Sequence, residues 1–241
     1  MFNKILCYIQ GLLGVRHYLR IPKAHIRSCA LISKASSWHT YAIQRRPWRP
    51  HVCVPCAWIS RILPHTAYVF EAGCGSGANL LWLQQQGFSK LAGNDISASA
   101  IHMCHLLAEY THARVNAFVD DALKPLKAPR AVDALLSVNW LYHIPGSSLG
   151  QLLTVYRKCL NPKGYIVFDV VSTAYNALPD NQYHTKDLRL PVGQRRASEY
   201  TFRMTPEQVK TCAVEHGFTL VRQQKLRAWP PRMAYMIQRC D

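Results

Sequence analysis

Aspartate and glutamate are missing from the first 70 residues of this chain, a span that holds ten lysines and arginines. Over the full 241 residues, 29 Lys+Arg face only 13 Asp+Glu, a formal net charge of +16. Such an excess attracts anionic molecules or surfaces at long range but does not determine a fold. A disulfide framework is missing as well. The nine cysteines are an odd number without pattern, so reduced thiols and a cytoplasmic location are expected. His51, Cys53 and Cys56 begin a zinc-like HxCxxC, but no second CxxC or histidine pair completes a tetrahedron, and no metal site is expected. Residues 1–15 (MFNKILCYIQGLLGV) are too short and too interrupted to span a bilayer, and no small-residue cleavage site marks a secretory signal.

What the chain does have is one acid followed by three glycines. Residues 69–77 read VFEAGCGSG, with Gly73, Gly75 and Gly77 at alternate positions after Glu71. The apolar run before them suits a strand buried on both faces of a parallel sheet. Lacking a Cβ, such a turn can take left-handed dihedrals and lie against a ligand. Residues 78–86 (ANLLWLQQQ) then read as a helix stopped by Gly87. Strand, glycine turn and helix N-terminus form a nucleotide-type corner, spaced GxGxG and not the GxGxxG of dinucleotide sites. The run resembles the first motif of class I S-adenosylmethionine (SAM) methyltransferases. That resemblance implies an α/β fold with a doubly wound, mostly parallel seven-stranded sheet. It also implies SAM as cofactor, held by Glu71, Gly73, Cys74, Gly75 and Gly77.

Later residues extend the likeness. Residues 90–95 (KLAGND) read as a second strand ending in Asp95, 18 residues past Gly77, where a carboxylate can accept from both ribose hydroxyls. The other reading of Asp95 is a capping acid for the next helix, a place Ser97 could equally fill. Residues 93–97 (GNDIS) resemble the family's second motif, which implies Ile96 against the adenine. A helix over 100–110 and a strand over 114–119 lead into Asp120, Asp121 and Ala122. Matched on Ala122, Asp121 takes the family's adenine-contacting position; Asp120 is an extra acid the pattern lacks, and either of the two adjacent carboxylates could make that contact. A fourth strand, 133–138, ends in Asn139, Trp140, Leu141, Tyr142 and His143, a tip that in this fold faces the transferring methyl group. By resemblance Asn139 is assigned to the cofactor, Trp140 to the substrate, and His143 with Tyr142 to catalysis. His143 is either a base or substrate contact, or an imidazole simply held in place. Asn139 and Tyr142 fall short of an NPPY signature because both prolines are missing, so amino-directed activity is not carried over.

Residues 149–160 read as a helix, residues 160–164 (LNPKG) resemble the family's LxPGG turn, and 165–171 form the fifth strand. Thr205 and Gln208 have capping-box spacing before a helix ended by Gly217, and strands over 218–225 and 233–239 fit the antiparallel last pair. The implied organisation is a basic extension over 1–64 and a methyltransferase domain over 65–241, with 172–204 as a substrate-side insertion. Tyr175, Tyr183 and Arg189 in that insertion are assigned to the substrate, its arginines meeting an anion or ring or else solvated. Residues 38–58, rich in Trp, Pro and Arg, are expected to form a loop or short turns, either as packing or as a cover over the ligands. The apolar stripe of residues 1–15 has three readings: a helix on the enzyme's own core, an interfacial helix on anionic lipid backed by Arg16, Arg20 and Lys23, or a removable targeting segment.

The expected activity is methyl transfer from SAM to a small-molecule acceptor at oxygen or nitrogen, acidic or lipid-like, in the cytoplasm or peripherally at an anionic membrane. The alternatives are a methyltransferase on RNA or protein docked by the basic extension, and a non-catalytic SAM-binding module. No oligomeric state is implied.

Overall fold

The computed structural model describes residues 17–241. The apolar stripe over 1–15 lies outside them. Among the described residues three helices precede the sheet: α1 (Lys23–Ser33), α2 (Ser37–Gln44) and α3 (Pro50–Ile62), with a 3-10 turn (Arg46–Trp48) between the last two. The sheet and its helices follow as β1 (Tyr68–Ala72), α4 (Ala78–Gln85), β2 (Lys90–Asp95), α5 (Ala98–Tyr110), β3 (Val115–Val119), β4 (Val132–Ser137), α6 (Leu149–Arg157), β5 (Leu160–Val171), α7 (Pro206–Glu215), β6 (Phe218–Leu226) and β7 (Arg232–Arg239). The seven strands lie in the order β3-β2-β1-β4-β5-β7-β6, and only β7 runs antiparallel to its neighbours. This is the Rossmann-like methyltransferase arrangement. The strand order reverses beside β1, so the crevice between the carboxyl ends of β1 and β4 is where such a sheet receives ligands.

Successive side chains of β1 point to opposite faces. Val69 joins a core with Trp82, Leu83, Ile101 and Trp58, whereas Phe70 joins a second core with Leu152, Tyr156 and Phe168. Both residues are fully buried, which is why an uninterrupted apolar run sits at the centre of the sheet. Each such side chain contributes about 1.5–3 kcal/mol by leaving water.

Residues 38–58 depart from expectation, being mostly helical and not loop. Pro47 sits in the first turn of the 3-10 segment and Pro50 opens α3, positions where a missing N–H removes no helical bond. Pro55 lies inside α3 and forfeits one bond, yet eight of the helix's thirteen residues are buried, and that packing outweighs the local preference. The boundary expected at residue 64 does not separate two bodies. Ile26, Ile43 and Trp58 share one core with Val69, and His25 stacks on Tyr110 of α5 at 3.7 Å. Residues 160–164 belong to β5 itself and α6 ends at Arg157, three residues before the expected end.

The insertion forms three short 3-10 turns tied by its own arginines. Arg196 grips Asp187 through two bonds of 2.7 and 2.8 Å, Arg195 bonds Asp180 at 3.0 Å, and Arg203 bonds Asn176 and Asn181. At α7 the Thr205 hydroxyl accepts from the Gln208 amide at 3.2 Å and the Gln208 side chain accepts from the Thr205 amide at 2.8 Å, a complete capping box. No helix among the described residues is long and apolar enough to cross a membrane.

After β3, Asp120 and Asp121 divide their work. The buried Asp120 carboxylate accepts three backbone amides, from Asp121 (2.9 Å), Leu126 (3.2 Å) and Lys127 (3.0 Å), and so folds the following loop. Asp120→Ala strands those donors and is expected to lower the urea-unfolding free energy by about 2–3 kcal/mol, whereas Asp121→Ala should cost less than about 1 kcal/mol.

Candidate cofactor site

The β1–α4 corner is built by its glycines. Gly73, Gly75 and Gly77 have φ of +70°, +54° and +74°. A Cβ on Gly73 would lie 2.3 Å from the Trp140 ring, and one on Gly75 would reach the His39 ring at 3.3 Å and Asp95 at 4.0 Å. Gly73 therefore lets the loop slide under Trp140, while Gly75 keeps the backbone open toward the cleft. The loop is tied to the end of β2. The Gly75 amide donates to Asp95 Oδ2 at 2.9 Å and the Cys74 amide to the Asn94 carbonyl at 2.9 Å. Asp95 Oδ1 accepts from the Ser97 amide at 2.9 Å, and Ser97 itself caps α5 through the Ala100 amide. Half-buried Asp95 thus braces the glycine loop while still facing the cleft.

Glu71 lies at the floor, 2% exposed. Its Oε1 accepts from Asn79 Nδ2 at 2.6 Å, but its Oε2 is buried without a partner among the described residues. Burial pushes the carboxyl up to about 8, against the lowering influence of Asn79 and Arg46. α2 and α3 form the opposite wall, contributing Trp38, His39, Ala42 and Val52, with Arg49 at the N-cap of α3. Arg49 is 8% exposed and its guanidinium stacks 4.9 Å from the Trp38 ring. It makes no ion pair among the described residues, and burial lowers its pKa. Burial likewise lowers His39, partly offset by Asp95.

Asn139 follows β4 with φ +54°, its amide donating to Asp169 Oδ1 at 2.6 Å and its side-chain oxygen accepting from Arg232 Nη1 at 2.9 Å. Asp169 and Arg232 form a buried ion pair of 3.1 Å. Burial opposes both charges, raising the carboxyl and lowering the guanidinium, and the surrounding hydrogen bonds compensate.

The cleft gathers Glu71, Gly73, Cys74, Gly75, Asp95 and Asn139 among the residues expected at the cofactor. Gly77 stands just behind, its Cα against Cys104. Asp121 is half-buried at the end of β3, its Oδ1 accepting from the Leu123 amide at 2.8 Å, while Ile96 is 75% exposed beyond Asp95. Ala122 is buried, its carbonyl accepting from the Tyr156 hydroxyl at 3.0 Å. The catalytic assignment of Tyr142 needs correction. The ring is fully buried, and its hydroxyl donates to Asp169 Oδ2 at 2.8 Å and contacts Arg232, so it braces the tip and is shut off from any acceptor. Tyr175 is corrected on the same ground, being 3% exposed between Tyr200, Arg203 and Trp229. Trp140 covers Gly73. Tyr183 and Arg189 stay outside the cleft, Tyr183 beneath Arg195 and Arg189 exposed.

His143 sits exposed at the tip, with Tyr142 and Tyr200 at 4.9 and 5.4 Å. Its Nδ1 lies 3.1 Å from the Glu199 carbonyl, an acceptor, so Nδ1 carries the proton and neutral His143 leaves Nε2 unprotonated. Desolvation of the ring by the residues packed around it lowers its pKa from 6.5, against the raising influence of Glu199. Trp38, His39, Arg49, Ser76 and Asn79 also line the cleft; the first three come from the segment over 38–58 read as packing or cover, Ser76 from the glycine run, and the sequence singles out none of the five as a ligand contact. Asn79, eight residues past Glu71 in the first turn after the glycines, has the most readable position. His51, Cys53 and Cys56 lie along α3, and among the described residues no three His, Cys, Asp or Glu side chains are grouped to hold a metal.

An adenosyl amino acid fits this arrangement: an orphaned buried carboxylate oxygen, a glycine loop that a Cβ would obstruct, and an acid at the end of β2. The family model described as a methyltransferase domain matches residues 43–223, three-quarters of the chain. No curated protein sequence matches. Among solved structures, a magnesium protoporphyrin IX methyltransferase from Synechocystis PCC 6803 with bound S-adenosylhomocysteine (SAH) is similar, with TM-score 0.60 and 14% identity over 78% of this chain and 81% of that one. The PH0226 protein from Pyrococcus horikoshii OT3 is similar at TM-score 0.61 and 19% identity, covering 80% and 92%. A SAM-dependent methyltransferase from Methanosarcina mazei gives 0.61 and 16%, covering 76% and 97%. At these identities the structures speak for the fold, and the family match speaks for membership. The chain belongs to the methyltransferase-domain family, a class I methyltransferase whose cofactor is SAM.

Proposed function

We propose that the acceptor is a small molecule bearing an acidic group, bound beside the cofactor against Arg49. The observation behind this reading is a nearly buried guanidinium lining the cleft that forms no ion pair among the described residues, its charge eased only at a distance by Asp169. A buried cation without an anion is costly, and an anionic ligand relieves that cost. His51 lies near it, also buried, and Asp169 is already taken by Arg232. On this reading Glu71 Oε2 receives the cofactor's ammonium, Asp95 its ribose hydroxyls and Asp121 its adenine amino group.

SAM supplies a methyl group on a sulfonium, so alignment matters more than acid–base assistance. This chain's residues provide the alignment. The glycine loop sets the depth of the cofactor, Trp140 and Asn139 fix the tip, and α2 shields the cleft from water. Where the acceptor is a hydroxyl, His143 Nε2 takes its proton, being neutral at pH 7.

Labelled methyl from SAM should enter an acid-soluble metabolite fraction of cell extract, and not RNA or protein. Arg49→Met should slow that transfer by about 10–100-fold while SAH affinity changes less than about threefold. A loss of SAH binding instead would assign Arg49 to the cofactor's own carboxylate. With His143 as base, the rate should be flat above neutrality and fall on acidification through a pKa below 6.5, and His143→Gln should abolish that acid limb.

A further inference from the structure

A second hollow lies apart from the cofactor cleft, between α3, the 3-10 turn before it and the end of β6. It has a volume of about 430 Å³. Its floor is apolar, formed by Val54, Ala57, Trp58 and Leu226, and its rim is cationic, formed by Arg61, Arg222, Lys225 and Arg227. A neighbouring hollow shares Lys225, Leu226 and Arg227 and extends the surface to Trp229. No acid among the described residues lines either one. The four rim cations are exposed and make no ion pair among the described residues. Arg222 stacks over Trp58 at 4.9 Å, which keeps its charge at the mouth of an apolar depression. Two large indoles flank the charges, Trp48 at 39% and Trp229 at 65% exposure.

Apolar floor, flanking indoles and a ring of unpaired cations match the layers of a phospholipid interface: acyl chain, carbonyl region and phosphate. A flat, exposed stacking surface would suit nucleic acid better, whereas this one is concave and the one ring in its floor, Trp58, is buried beneath Arg222. His17 also lines the hollow. The orientation also fits. β6 runs parallel to β1, because β7 is antiparallel to both β5 and β6, so Leu226 ends β6 on the same side of the sheet as the glycine loop. Trp229 touches the insertion through Tyr175 at 6.0 Å.

We propose that this face docks the enzyme on an anionic phospholipid membrane, with the cleft at the carboxyl ends of the strands held close to the lipid surface. The proposal is independent of which acceptor is methylated.

Flotation of the full chain with vesicles tests it, comparing pure phosphatidylcholine with phosphatidylcholine containing about one-third phosphatidylserine. The wild type should float with the anionic vesicles only, release as salt rises, and show a blue-shifted tryptophan emission. The double variant Arg222→Glu/Arg227→Glu should lose at least about tenfold in partitioning, and Trp229→Ser should lose most of the emission shift. SAH affinity of both variants should match the wild type, which shows that they fold. Three results would overturn the proposal: a wild type that ignores anionic vesicles, a charge-reversed variant that floats as well as the wild type, or binding to an RNA oligonucleotide that those reversals abolish while vesicles stay unbound.

Discussion

A carboxylate buried with half of its hydrogen-bonding capacity unused is the constraint around which this site is organised. Glu71 lies near the carboxyl end of a central strand walled in on both faces, so it has little access to water, and among the described residues only Asn79 answers one of its oxygens. In such surroundings a carboxyl keeps its proton well above its ordinary range. A ligand bearing positive charge reverses that balance. The floor of the cleft is therefore uncomfortable when empty of charge and settled when a cationic group lies on it, which ties strand position, protonation and cofactor preference into one arrangement.

The buried cations around the cleft have the complementary problem. Arg46, Arg49 and Arg232 are all nearly or fully buried, and among the described residues Asp169 is the only carboxylate in an ion pair with any of them. Arg46 spends its charge on the His17 carbonyl at 2.9 Å and on the Trp82 ring at 4.6 Å. Arg232 is matched by Asp169 and shared with Asn139 and Tyr142. Arg49 alone of the three lines the cleft. The acid-free stretch of sequence is thus not one diffuse cloud. Part of it is structural, part faces the cleft, and part, with Arg61, lies on an outer face beside the cations of β6.

The glycine corner, the seven strands and the capping box at Thr205 are legible in the sequence because each rests on local chemistry: positive φ, short apolar runs between turn signals and a side chain reaching its own helix's amides. The N-terminal helices are not. Trp, Pro and Arg in residues 38–58 argue locally against helix, and only burial of Trp58, Cys56 and Ile59 against the sheet overrides that preference. Asp120 and Asp121 cannot be told apart by neighbouring letters, since the difference is which carboxylate turns inward to three amides. The place of Tyr142 at the strand tip suggests catalysis, yet the partners that draw it inside, Asp169 and Arg232, lie 27 and 90 residues away. The arginines of the insertion have the composition of an anion site and are mostly its internal staples.

Counting protons as SAH binds is the most direct test of Glu71 as the seat of the cofactor's cationic end. With its carboxyl at about 8, roughly ten free molecules are protonated at pH 7 for each one that is not. Calorimetry at pH 7 in buffers of different ionisation enthalpy should show release of about one proton per SAH bound by the wild type, with Glu71→Gln releasing none. Binding without proton release, or the same release from the glutamine variant, would contradict the placement of the cofactor's ammonium on Glu71.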